Sequence, residues 1–453
     1  MSSNSNDESH AHEHTKAGVL REYGQAMRTF GPSFRRLLIA MALILVTAFG
    51  LLPVLQNLYL LRLGFDVQFI GLLAGLGQVV WATAALPAGV LGNRMGLRNG
   101  LLLGCGLFGV GLALLLLVES RPASQWQVWL IASQAVISLG VAMLTVNNPP
   151  YLMAITDEKK RRYAFAAFSA TIPAMAFAGS LAAGMLPVLL AGRLGLSLEQ
   201  PALYRFVLWL GPILAGGAIV VLAGAEPAYV TRSGTLQQSV ARAPLALLSF
   251  FGLVTFLGAI GEGAVRTFFN VYLDMGLGVS PAAIGSIMGL AQLLPIGAAL
   301  AVPFLVARWG TGYALVGGMV ATGICLVPLA AIPVVWVAAA AYMGVIAVVT
   351  VSGTSRDMFG QELVLPRWRT SSQGAAVIGL ALGWSLAGIG GGALIKASGF
   401  GALYVAGALS ALLAAGLLVG YLRRSGARVA AVAEPAPLLS DQPASVITDL
   451  VAQ

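Results

Sequence analysis

The chain is 453 residues long, 58% of them hydrophobic and only 9% charged, with a net charge of +9. A water-soluble domain carries about 25% charged residues, so this composition excludes a soluble globule, a disordered chain and a nucleic-acid binder. Two cysteines, Cys105 and Cys325, lie in apolar runs and make no disulfide framework.

Residues 1–35 form a polar tail that holds all three histidines, His10, His12 and His14. No cleavable leader is expected, because thirty-odd polar residues precede the first apolar run and no small-residue cleavage site follows it. Apolar segments then follow at about 37–61, 68–91, 99–118, 127–153, 163–190 and 203–224. A polar stretch at 225–244 interrupts them, and a second set follows at about 245–273, 281–307, 311–330, 332–355, 371–395 and 399–422. Residues 424–453 form a second polar tail. A membrane-spanning helix needs about 20 apolar residues. Lipid offers no partner to an open strand edge, and these runs do not alternate as barrel strands do. The expected fold is therefore all-α and integral to a membrane. It has twelve spanning helices in two pseudo-symmetric six-helix bundles, 36–224 and 245–423, joined by the 225–244 linker.

Lys and Arg set the orientation. With both tails on one side, that side collects twenty of the 26 basic residues. The other side holds Arg62, Arg121, Arg193, Arg205 and Lys396, and Arg266 falls inside a span. The positive-inside bias places both termini and the linker in the cytoplasm, in a plasma membrane or bacterial inner membrane.

The halves repeat. Asn57, Tyr59 and Leu60 recur 213 positions later as Asn270, Tyr272 and Leu273. Shifted by one further residue, Ile70, Gly71, Gly75, Gln78, Arg94 and Gly96 recur as Ile284, Gly285, Gly289, Gln292, Arg308 and Gly310. A parallel repeat of six helices is a secondary-transporter architecture, with the site near mid-membrane between the halves.

After the second segment the chain reads GVLGNRMGLRNG from Gly89. This loop resembles the signature G-x-L-a-D-R-x-G-R-[RK] of the major facilitator superfamily. Gly89, Leu91, Arg94, Gly96 and Arg98 carry the match, and Arg308-Trp309-Gly310 is similar to its degraded second copy. Asn93 stands where the family has Asp, which weakens the charge pairing of that loop. The fourth segment has no arginine and the fifth lacks G-P-x-x-G-G, so the antiporter motifs are absent. The resemblance implies a carrier that works by alternating access. Gly89, Asn93, Arg94, Gly96, Arg98 and Arg308 would form a cytoplasmic gate, with Arg94 and Arg98 beside the seam between the halves.

Charges inside a span are costly and usually face a cavity. Glu262 and Arg266 are placed deep in the seventh segment, one helical turn apart, where they can pair. One reading makes Glu262 a protonatable, proton-coupling carboxylate whose charge depends on Arg266. The other makes the two a structural pair that fixes helix packing. In the family, segments one, four, seven and ten line the central cavity. Gln56, Asn57, Gln134, Asn270 and Tyr342 are the polar candidates there, joined by the repeat mates Gln78 and Gln292 and by mid-span Trp384. Each could instead make an interhelical hydrogen bond. Asn147-Asn148-Pro149-Pro150 reads as a helix terminus or a hinge, because prolines break the ladder.

The reading is a carrier for a small organic solute in a lipid bilayer, coupled to protons through Glu262, monomeric, without cofactor or metal. A transport-inactive sensor or scaffold of the same fold is the alternative. An intramembrane enzyme is the rival class, disfavoured because no histidine lies in a span to activate Ser385.

Overall fold

The computed structural model describes residues 30–228, 244–365 and 368–429. Most of both tails and of the 225–244 linker, including the histidine-rich HAHEH stretch, lie outside the described residues. Among the described residues there is no β-strand. Ten helices are long and apolar enough to cross a membrane. They are α1 (Pro32–Arg62), α2 (Val67–Met95), α3 (Leu97–Leu116), α4 (Ala123–Ala154), α5 (Tyr163–Arg193), α6 (Pro201–Ala223), α7 (Leu245–Gly276), α8 (Pro281–Ala331), α9 (Val335–Glu362) and α10 (Arg369–Arg424).

Local chemistry sets several starts. Pro32, Pro201 and Pro281 open α1, α6 and α8, where the missing N–H costs nothing. The Asp66 carboxylate accepts from the Phe69 N–H at 2.9 Å and caps α2.

Two of the helices bend at a glycine. Gly310 inside α8 has φ 77° and ψ 163°. Gly399 inside α10 has φ 80° and ψ 175°. Gly96, which separates α2 from α3, has φ 91°. L side chains avoid this region, and glycine enters it without penalty. The repeat mates Gly96 and Gly310 thus share one backbone role: the chain turns sharply between two helical stretches at a single residue.

Helices α1–α6 pack among themselves along α3–α4, α2–α4, α1–α5, α1–α6 and α3–α6, and α7–α10 along α7–α10, α8–α9 and α8–α10. The most extensive contacts between the sets are α2 against α10 and α5 against α8, with a smaller one of α1 on α7. The first two rely on glycines. A Cβ on Gly388 of α10 would lie 2.8 Å from the Gly71 carbonyl of α2. One on Gly184 of α5 would lie 3.0 Å from the Gly285 Cα of α8. Large side chains such as Tyr59, Phe108, Phe268 and Tyr404 are fully buried, whereas Leu86, Phe304 and Trp336 are at least 77% exposed. That pattern suits lipid around an apolar outer face.

The tandem prolines do not end α4. Pro149 and Pro150 lie inside the helix, which continues to Ala154. The Asn147 amide stabilises this stretch, donating to the Met143 carbonyl at 2.8 Å and reaching the Ala88 carbonyl at 3.4 Å. Gly92 and Gly100 leave the room it occupies between α2, α3 and α4.

Candidate functional site

Two cavities meet at one ion pair. The central cavity, about 420 Å³, lies between α1, α2 and α4 on one side and α7 and α10 on the other. Its wall is aromatic at Phe49, Trp81, Phe108 and Trp384, and polar at Gln56, Gln78, Gln134, Ser138 and Arg266. The side cavity, about 360 Å³, lies within α7–α10 and is lined by Glu262, Arg266, Arg356, Trp384 and several hydroxyls. Arg266 and Trp384 line both.

The i, i+4 spacing on α7 does bring Glu262 and Arg266 together. Arg266 Nε donates to Glu262 Oε1 at 2.6 Å. The carboxylate side chain is 9% exposed and the arginine side chain 41%. Arg266 also lies over the Trp384 ring, 5.5 Å from its centroid. Gly263 permits this: a Cβ there would sit 2.9 Å from the Trp384 Cα, so only a glycine lets α10 come this close.

The remaining candidates divide. Gln56 Nε2 donates to Gln134 Oε1 at 2.9 Å, and Gln78 joins them on the central wall. Asn57 and Asn270, repeat mates, face each other: Asn57 Nδ2 donates to Asn270 Oδ1 at 3.0 Å and to the Thr267 carbonyl at 2.8 Å. Asn270 Nδ2 donates back to the Val54 carbonyl at 3.1 Å. Their amides are thus engaged in tying α1 to α7. Tyr342 is buried, stacks on Phe269 with centroids 4.0 Å apart, and lines neither cavity. Gln292 sits at a turn within α8, away from both. The Trp384 Nε1 is buried without a hydrogen-bond partner.

Sequence reasoning missed the ionic seal beside the Asn pair. Arg62, at the end of α1, forms two parallel bonds of 2.8 Å to the Asp274 carboxylate near the end of α7. Its Nε is 3.0 Å from Glu199. Lys396 of α10 donates to Asp66 Oδ2 at 2.8 Å and to Gln68 at 3.3 Å. The Lys396 ammonium, with the Phe69 N–H, holds the Asp66 carboxyl below its ordinary value. The hydrogen bonds and ion pairs that join α1–α6 to α7–α10 gather at this end. A signal was present: Arg62 and Asp274 are 212 residues apart, one short of the Asn57–Asn270 offset. Arg356 was also missed. The sequence reading ended the span at 355, whereas α9 runs on to Glu362 and turns Arg356 into the side cavity.

At the opposite end, the loop residues behave differently from one another. Gly89 packs against Val146, Gly96 makes the turn, and Asn93, Arg94 and Arg308 are exposed. Arg94 and Arg308 bond to no described residue. Arg98 does not face the seam. It donates to the Ala225 carbonyl at 2.9 Å and fastens the chain after α6 onto α3. Among the described residues, no group of three or more His, Cys, Asp or Glu is placed to hold a metal.

Residues 37–388 match the sequence profile of the Major Facilitator Superfamily. The methyl viologen resistance protein SmvA of Salmonella typhimurium is 36% identical over 110 residues, 24% of this chain and 21% of that protein. The match thus spans about a fifth of the length of that curated relative. Among solved structures, the nucleoside transporter NupG superposes with a TM-score of 0.67 at 15% identity, covering 86% of this chain and 99% of that one. A bacterial homologue of the iron transporter ferroportin, in an inward-facing state, gives a TM-score of 0.69 at 14% identity, covering 86% and 98%.

Proposed function

The chain belongs to the major facilitator superfamily, and from that premise we propose that it is a secondary carrier that moves a small organic solute by alternating access. One observation carries the reading. The central cavity lies between two sets of helices whose cross-links, Asn57–Asn270, Arg62–Asp274 and Asp66–Lys396, gather at one end. A cavity sealed at one end by breakable bonds is what an access switch requires. Family and fold favour transport over catalysis.

In this reading Gly310 and Gly399 each separate two crossings, so α8 and α10 supply two apiece. The chain then crosses twelve times, as two six-helix bundles. The basic residues put both termini in the cytoplasm, so the sealed end faces outward and the carrier is open inward. Glu262 is the protonatable group, and the working unit is a monomer in a plasma or bacterial inner membrane.

The cavity wall fits an amphipathic solute: aromatic rings cover its body and three glutamine amides orient its polar part. The partial relative is named for resistance to methyl viologen, so that compound belongs in any screen. The test is a thermal-shift screen followed by counterflow in liposomes that contain only this protein. A ligand stabilises the state it binds by mass action. The account expects the stabilising solute to exchange across the bilayer. A solute that stabilises and never crosses would instead mark a sensor.

A further inference from the structure

We propose that the transported solute carries a carboxylate, that this carboxylate competes with Glu262 for Arg266, and that the displaced Glu262 takes up one proton through the side cavity. The inference rests on the carrier reading and names its solute class and its coupling.

The two ions face different spaces. Arg266 lines both cavities, while Glu262 lines only the side cavity. Among the described residues, Arg266 is also the one ionised side chain on the wall of the central cavity. Its Nε is engaged by Glu262, and its two Nη groups have no partner among the described residues. A guanidinium fork of this kind matches a carboxylate's two oxygens. The same charge, in an apolar surround, repels a cation.

The side cavity suits the proton. The hydroxyls of Thr255, Thr322, Thr350, Ser352 and Thr354 each donate to the backbone carbonyl one turn earlier. Only their lone pairs remain to face the cavity, which makes its wall an acceptor surface for water. On α7 it extends from Arg266 to Thr255, about 16 Å along the helix at the usual rise. It ends toward Arg356, away from the sealed end.

Charge balance links the two events. Glu262 and Arg266 together are neutral. A bound carboxylate alone would leave one negative charge in a low-dielectric site, which is costly. When it binds, the Arg266 N–H bonds pass from the Glu262 oxygen to the solute. Glu262 then takes up a proton from the bulk, relayed by water in the side cavity, and the site is neutral again. Other charged or titratable groups facing the pair are few. Arg356 and Tyr342 come from α9, while α8 and α10 present Leu315, Met319, Thr322, Leu380 and Trp384.

The experiment uses purified full-length protein and matched aromatic probes. Phenylbutyrate and indolepropionate are each compared with their amide and amine counterparts, and methyl viologen is included. Affinity is measured by titration, and proton uptake with a pH indicator in weak buffer. The carboxylates should bind at least about tenfold more tightly than the amides, with about one proton taken up per anion. Glu262→Gln should bind the anion without proton uptake. Arg266→Gln should lose the tenfold preference. The double variant Glu262→Gln/Arg266→Gln keeps the site neutral; it should melt near wild type and show no preference. Preference for an amine or for methyl viologen, failure of every carboxylate to bind, or carboxylate binding with no proton uptake would each overturn the proposal. If an amide or amine then shows counterflow, the carrier reading survives without it. If no bound probe exchanges, the carrier reading falls as well.

Discussion

Arg62 and Asp274 carry the largest single interaction of the seal. The pair is bidentate, with side chains 15% and 8% exposed, and charge-assisted bonds of this geometry are the strong ones. Asp274→Ala should move the equilibrium toward the state open at that end by about 2 kcal/mol, or roughly thirtyfold. Exchanging the two charges, Arg62→Asp with Asp274→Arg, should restore it. Accessibility of an engineered cysteine at Ala74, which lines the central cavity, to an impermeant thiol reagent measures the shift. Asp66 adds a pH sign. Its carboxyl is held below the ordinary value chiefly by Lys396, with the Phe69 N–H adding a part that does not depend on the seal. The pair therefore favours the sealed state fully above the usual carboxylate value, and loses that effect as pH falls through the depressed one. The seal should be flat with pH from about 6 to 8 and loosen only in acid. Asp66→Asn should remove the acid response; loosening near neutral pH would assign the sensitivity to another group. Glu262 and Arg266 were legible in sequence because one helical turn fixes their contact whatever the tertiary fold. Arg62 and Asp274 were not, since only the packing of α1 on α7 brings them together. Asn57 and Asn270 were noticed as repeat mates, yet nothing local shows that they bond each other and not a solute.

The helices meet across the seam on glycine, which makes α2–α10 the element most sensitive to bulk. A Cβ at Gly388 would sit 2.8 Å from the Gly71 carbonyl and 2.9 Å from the Gly75 nitrogen. Gly388→Val should therefore disfavour the sealed state by about 1–3 kcal/mol, the usual cost of overpacking. Gly374→Ala, with open space around it, is the control and should change nothing. Equal reactivity of the Ala74 cysteine in both variants would show that the glycine contact does not hold the seal. Element boundaries followed the sequence where backbone chemistry is local. The positions at which the apolar pattern was divided, near 310 and 398, are where Gly310 and Gly399 take positive φ. The tandem prolines of α4 left a terminus and a hinge open, because a missing N–H breaks the ladder; the helix runs through them to Ala154. Asn147, wedged into space left by Gly92 and Gly100, supports the helix through them. That support comes from neighbouring helices and leaves no mark in the local sequence.

For the whole molecule, hydropathy and the repeat disclosed the fold class, because lipid permits few architectures. They could not disclose which end is sealed, since the residues that cross-link the two sets meet only through packing. Orientation rests on the basic residues and has its own check. With Cys105 and Cys325 replaced, a cysteine at Ser124 should react with an impermeant reagent from outside, and one at Glu158 should not; both positions are exposed. The reverse pattern would turn the protein over in the membrane.

Alternating access itself is tested most directly by spin-label distances read at both ends of one protein. One label pair, Ser197 with Met275, spans the sealed end; the other, Asn93 with Thr370, spans the opposite end, and all four positions are exposed. Double electron–electron resonance on the chain with Cys105 and Cys325 replaced should show the first pair close and the second apart. Asp274→Ala should lengthen the first distance and shorten the second in the same sample. Distances that leave both ends unchanged, or that lengthen together, would contradict a carrier that exposes its cavity to one side at a time.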